Sequence, residues 1–137
     1  FVHPVAQDRL VLAYPACWDI DIPRSITVEE LNQFSAVRLP RSTDPNYYDW
    51  QETLFQEIEW RPGVTQWAHG EGTMLGLVAS GNGVAIVNER HLSRQSKMIR
   101  YTSLDILPQT TPLHFIYKYT SDNPALSTFL QLLSGRE

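Results

Sequence analysis

VTQWAHGEGTMLGLVASGNGVAIVN, residues 64–88, is the stretch whose reading decides the fold. Residues 64–68 are rich in β-branched and aromatic side chains and read as a short strand. Gly70 and Gly72 break that run, and Thr73 is a residue type that caps helices. Met74, Leu77 and Val78 fall at i, i+3 and i+4, the spacing of one buried helical face. Gly81 stands where a helix must end in positive φ, and Asn82-Gly83 is a tight turn. Residues 84–87 form an unbroken apolar run, as expected of a strand covered on both faces. The unit is strand, glycine turn, short helix, strand: a βαβ crossover, which implies a parallel sheet.

The turn at His69, Gly70, Glu71, Gly72 and Thr73 is the chemical part of this unit. A helix N-terminus presents unpaired N–H groups and partial positive charge, which suits a carboxylate or phosphate. Equally, Gly70 and Gly72 serve simply to make the turn. Gly70-x-Gly72-x-x-x-Gly76, with Glu89 after the next strand, loosely resembles a dinucleotide fingerprint. The third glycine comes one position late, Glu71 would repel a pyrophosphate, and the helix is short, so a nicotinamide cofactor is disfavoured.

Outward from this unit, 137 residues suffice for one domain with a real core. A net charge of −4 and the absence of a basic run argue against a nucleic-acid surface on these residues. A single cysteine, Cys17, excludes an internal disulfide framework and fits a reducing, cytoplasmic compartment. No window approaches the apolar length of a membrane span.

Towards the N-terminus, residues 2–5 and 10–14 read as two extended runs with a turn at Asp8-Arg9. Asp19 and Asp21 lie in an irregular segment and are better read as a solvated loop than as a cation site. Thr27 and Glu30 form a capping box for a helix over 26–34, with Ile26 stapled to Leu31. A strand over 36–39 leads into a loop holding Arg41, Ser42 and Thr43, just past a strand end, where open α/β sheets bind ligands. A plain solvated loop is the competing reading. Asp49 and Glu52 repeat the capping pattern, and Trp50, Leu54 and Ile58 make a helical stripe, fit for core or for a dimer face.

Beyond the central unit, residues 90–97 are polar, helical or irregular, and 98–104 suggest a strand. Residues 107–112 connect to a strand over 113–119. Asn123 and Pro124 begin a last helix with Leu126, Phe129, Leu130 and Leu133 on its buried stripe. The alternation makes the class α/β with a mainly parallel sheet. The four histidines are scattered without zinc-site spacing, and no G-x-S-x-G elbow occurs. Cys17 beside Trp18 reads as a packed residue rather than a nucleophile. Nothing therefore argues for an enzyme, a metal or a cofactor.

The landmarks DRLVLAYPACW, ITVEELNQFSAV, WAHGEGTMLGLVASGNGVAIVN and LHFIYKYTSDNPALSTFLQLL resemble, in order and spacing, the effector-binding domain of LysR-type transcriptional regulators. LGLVASGNGVAIVN is the most specific part, similar to that family's LVAxGxGIALLP, with Asn88 where a proline is common. The resemblance implies a type 2 periplasmic-binding-protein-like α/β fold: two lobes, two crossing strands and a small molecule in the cleft. Residues 1–14 would end the first lobe and form the first crossing strand. Residues 15–108 would be the complete second lobe, and 109–137 the second crossing strand and the return to the first lobe. The rest of the first lobe and a DNA-binding winged helix-turn-helix would lie outside these residues.

The resemblance further implies a homo-oligomer that meets DNA only through that missing domain. Its effector contacts would be Arg41, Ser42, His69, Gly70, Gly72, Thr73 and Asn88, with Trp18 near the lobe entry. Arg41 and the helix N-terminus suit a carboxylate or other anion, which Glu71 opposes. Two other classes stay open: the solute-binding component of a transporter, marked by an upstream export signal, and a small nucleotide-dependent α/β enzyme, marked by stabilisation with a nucleotide.

Overall fold

The computed structural model describes residues 2–90, 96–107, 110–116 and 122–135. The chain divides into two compact units, Arg9–Gln109 on one hand and Phe1–Asp8 with Thr110–Glu137 on the other.

Strand β1 (Val2–Pro15) is continuous, without the turn expected at Asp8-Arg9. Asp8 is buried at 3% exposure, so the pair is no solvated turn. The Arg9 amide donates to the Glu89 carboxylate at 3.3 Å. Residues 10–14 of β1 are buried on both faces. Leu10, Leu12 and Tyr14 enter one apolar cluster, and Val11 and Ala13 the other, by the period-two alternation of a strand. Each fully buried aliphatic side chain of this kind contributes about 1.5–3 kcal/mol.

A 3-10 turn (Ala16–Trp18) leads from β1 towards helix α1 (Val28–Leu31). The Thr27 cap is present: the Glu30 amide donates to Thr27 Oγ1 at 3.2 Å, and the Thr27 hydroxyl, in place of its backbone amide, donates to the Glu30 carboxylate at 3.1 Å. The helix is a single turn, shorter than the expected 26–34. Strand β2 (Ala36–Arg38) then runs into helix α2 (Pro45–Glu57). The α2 cap is Asp44, which accepts from the Tyr47 amide at 3.1 Å, with Pro45 at the first helical position. The expected cap at Asp49 is therefore corrected by one turn. Leu54 is buried, with Trp50 and Ile58 packed on its cluster, so that stripe is core.

Strand β3 (Val64–Trp67), helix α3 (Glu71–Ala79) and strand β4 (Ala85–Asn88) make the expected crossover. β3 pairs with β2 in parallel. The approach to β4 meets β2's other edge, also in parallel, at Ala36 and Val84. The Val37 amide donates to the Val84 carbonyl and the Val84 amide to the Ser35 carbonyl, both at 2.8 Å. The cap of α3 is Gly70, in extended backbone and without a side-chain bond, rather than Thr73. Gly81 ends α3 at φ 89°, as its position predicts.

Strand β5 (Ile99–Ser103) completes the sheet of the larger unit, ordered β4-β1-β5. Both neighbours of β1 are antiparallel to it. The sheet is thus partly parallel, where the crossover alone suggested mainly parallel. The reason is that β1 is no partner in a crossover but a strand inserted between two that run against it. Helices α1 and α2 contribute to the first cluster, with Leu31, Leu54 and Phe55, and α3 to the second, with Met74 and Val78. The arrangement is sheet between helical layers, as an α/β fold requires.

In the smaller unit, strand β6 (Thr110–Ile116) pairs with β1 and helix α4 (Pro124–Ser134) follows. β6 starts earlier than the expected 113–119. Asn123 caps α4 by accepting from the Ala125 amide at 3.0 Å. Leu126, Leu130 and Leu133 are half-buried, whereas Phe129, expected on the buried stripe, is exposed. Most of the segment 90–97 and residues 117–121 lie outside the described residues. No helix among the described residues is long and apolar enough to cross a membrane.

Candidate functional site

The parallel strands β2, β3 and the approach to β4 share a direction, so their carboxyl ends come to one side of the larger unit. Ligands of open α/β sheets bind at that side. Arg41 and Ser42 follow β2, His69 to Thr73 follow β3, and Asn88 ends β4. Trp18 is stacked on Phe34 at 5.4 Å between ring centroids and packs on the first apolar cluster.

The grouped residues differ in what they are free to do. Arg41 is committed to Asp49 through two parallel bonds, Nε to Oδ1 and Nη2 to Oδ2, each 2.9 Å. The pair is exposed, so it contributes little to folding and is screened by salt. Asn88 is buried at 3% and accepts the Tyr47 hydroxyl at 2.8 Å, while Gln51 Nε2 donates to that same hydroxyl at 3.1 Å. This chain of bonds ties α2 to the end of β4. Ser42, His69, Gly72 and Thr73 are exposed. Nothing lies within 4 Å of where a Cβ would stand on Gly70 or Gly72, so packing does not require those glycines.

The Asp49 carboxyl is held below the usual aspartate range, first by the bonds from Arg41, with burial opposing and the guanidinium charge adding to the lowering. A depressed carboxylate contributes stability above its unfolded pKa and loses it as pH falls through the folded value. In a carbon-detected NMR titration, Asp49 is expected to titrate below an ordinary aspartate, and Arg41→Gln to bring it back up. An unchanged Asp49 midpoint in that variant would contradict the pairing.

Beside these residues lies an open pocket between β2 and α2, lined mainly by apolar and aromatic side chains. Its walls include Tyr47, Tyr48, Phe55, Trp60 and Met74, with Asp44 and Glu71 among its polar members. Glu71 faces Arg90 at 3.7 Å. Arg38, the last residue of β2, is in the wall with only 8% exposure. Its Nη1 donates to the Glu52 carboxylate. Its guanidinium carbon is 4.4 Å from the Tyr48 ring centroid and 5.1 Å from that of Phe55, so both rings offer it their π-faces. Arg38 Nε and Nη2, and the indole N–H of Trp60, are buried with no acceptor among the described residues. A buried donor left without a partner costs about 1–3 kcal/mol.

Sequence reasoning did not find Arg38, Tyr47, Tyr48 or Trp60. One signal was present: Arg38 is a charge inside the otherwise apolar run 36–39. Charged residues are almost never fully buried unless paired, so its place in a buried strand was itself informative. The aromatic residues gave no such signal, because in sequence they are indistinguishable from core.

Comparison with known proteins points in one direction. The family model described as the LysR substrate binding domain matches residues 1–136. The HTH-type transcriptional regulator TtuA of Agrobacterium vitis is 31% identical over 86 residues, 63% of this chain and 28% of that protein. The structure of CbnR, a LysR family transcriptional regulator, superposes with a TM-score of 0.80 at 18% identity, covering 98% of this chain and 47% of that one. The effector binding domain of QuiR, solved in complex with shikimate, gives 0.72 at 18% identity, covering 97% and 63%. At these identities the structural likeness establishes the fold. The chain spans about a quarter of the length of TtuA and about half that of CbnR.

Proposed function

We propose, from the premise that this chain belongs to the LysR substrate-binding domain family, that it is the ligand-sensing part of a transcription regulator. The observation that carries the reading is the convergence of three parallel strand ends beside an aromatic-lined pocket. The compact unit Arg9–Gln109 supports taking residues 15–108 as the second lobe. An effector bound there acts by holding one conformation more tightly than another, since only differential affinity shifts an equilibrium. The acidic balance of −4 offers no electrostatic footprint for DNA, so contact with DNA falls to another segment of a cytoplasmic oligomer. The reaction is binding without turnover.

The effector contacts in this reading are Ser42, His69, Gly70, Gly72 and Thr73, with Arg41 and Asn88 available through their present partners. Trp18, stacked on Phe34, is the remaining candidate. Gly72→Ala separates the site from the fold. A Cβ there meets nothing within 4 Å and lies in a helix, so stability is expected to hold or rise by about 0.5–1 kcal/mol. Close approach of a ligand to that backbone would be blocked, and affinity is expected to fall several-fold. A thermal-shift screen of small metabolites, with shikimate as the first probe because QuiR is solved with it, supplies the ligand. Titration calorimetry on Gly72→Ala, Thr73→Val and Ser42→Ala then reads the site. Unchanged affinity in all of them would remove it.

A further inference from the structure

We propose that the pocket beneath α2 takes a small ligand bearing one carboxylate on an apolar, preferably aromatic, frame, and that Arg38 is its anchor. The proposal names the ligand class for the sensing reading above and rests on it. Arg38 Nε and Nη2 and Trp60 Nε1 are all donors, and all belong to residues of the same pocket wall. Phe55 lies between the two residues, 5.1 Å from the guanidinium carbon and 4.7 Å from the indole ring. The polar groups around them are already engaged. Gln51 donates to the Tyr47 hydroxyl, which donates to Asn88, and Asp44 caps α2. What these three donors lack is an acceptor.

The geometry of the guanidinium narrows the acceptor further. Nε and Nη2 form one edge of the fork, with two parallel N–H vectors spaced for the two oxygens of a carboxylate. The same edge of Arg41, three residues along, is filled in that way by the Asp49 carboxylate. In Arg38 the remaining nitrogen is tethered to Glu52 and the ring face lies against Tyr48, which fixes the orientation of the edge in advance. Such preorganisation favours binding, because the side chain has little freedom left to lose. The rest of the wall is apolar and aromatic, which suits the body of the ligand.

The charges facing the pocket set a limit. Glu52 neutralises part of Arg38, while Asp44 and Glu71 are acidic, the latter facing Arg90. A second carboxylate near Asp44 or Glu71 would be repelled, so the ligand carries one. The free donor atoms are shielded from bulk solvent, so a side chain of the pocket wall gives way for a ligand to enter.

The test uses matched pairs, benzoate with benzamide and 3-phenylpropionate with its amide, titrated into the whole chain by calorimetry and followed by nitrogen-edited NMR of the arginine Nε–H groups. The carboxylates are expected to bind at least tenfold more tightly than their amides and to shift the Arg38 Nε–H signal saturably. Arg38→Met is expected to reduce benzoate affinity at least tenfold. If Arg38→Met does not fold, Arg38→Lys keeps the charge without the fork, and the wild-type Nε–H signal still reports on the residue. Equal binding of the amides would overturn the carboxylate and leave the sensing reading standing. Benzoate bound with the Arg38 signal unmoved would overturn the anchor. Silence from both series would overturn the ligand class proposed for this pocket, whereas the sensing reading fails only if the metabolite screen finds no ligand at all.

Discussion

Gly83→Ala is expected to destabilise the larger unit by about 3–5 kcal/mol, combining left-handed backbone strain with a steric clash. Gly83 has φ 151°, a conformation that residues with a Cβ rarely adopt. A Cβ on it would stand 2.5 Å from the Ser35 carbonyl oxygen and 3.1 Å from the Ser35 carbonyl carbon. Both obstacles are backbone, so no side chain can swing away. The same Ser35 oxygen accepts the Val84 amide at 2.8 Å, one of the bonds that join β2 to the approach of β4. Displacing it would part the strands whose ends form the site. Urea denaturation gives the measurement. Gly63→Ala is the control, because nothing lies within 4 Å of a Cβ there. A Gly83→Ala midpoint close to that of the control would show that the turn relaxes, and would refute the close approach.

The second large effect is expected at Phe55. Phe55→Ala should cost about 3–5 kcal/mol, the range for deleting a buried aromatic side chain. The residue is 2% exposed, packs edge-on against Trp60 at 4.7 Å between centroids, and lies 5.1 Å from the Arg38 guanidinium carbon. Phe55→Leu keeps apolar volume and loses only the ring contacts, and should cost about 1–1.5 kcal/mol. Chemical denaturation of the pair separates the two contributions. Equal losses in both variants would mean that ring contacts, and not buried volume, hold this wall.

How much of the molecule was legible beforehand varies with the range of the interactions involved. The crossover at 64–88 was readable because its signals are local: an apolar run, glycines, a helical repeat and a turn. The cap at Thr27, the Asn123-Pro124 helix start and the positive φ at Gly81 were readable for the same reason. The cap of α3 was misread at Thr73 because a hydroxyl is a better cap than a glycine in isolation, while Gly70 supplies only the extended backbone a helix start needs. The cap of α2 was misplaced because Asp49 and Glu52 have other partners, Arg41 and Arg38, which spacing within the helix does not show.

For the candidate site, the positions following β2 and β3 were readable, since ligand sites lie at strand ends in this class of sheet. The stacking of Trp18 on Phe34 was not readable, because the two are distant in sequence. The family itself was visible in the quoted landmarks and is shown by the match over residues 1–136.

By itself, then, the amino-acid sequence determined the class of fold, the βαβ unit, two of the four helix starts among the described residues and the family, because each rests on neighbours along the chain. Only the tertiary structure decided that β1 is one unbroken strand flanked by antiparallel partners, that Arg41 is already occupied, and that Arg38 is buried between Tyr48 and Phe55 with one edge unbonded. Those outcomes depend on pairings between residues far apart in sequence and on which polar atoms are left over once every other bond is made. Such a remainder exists only after the chain has folded.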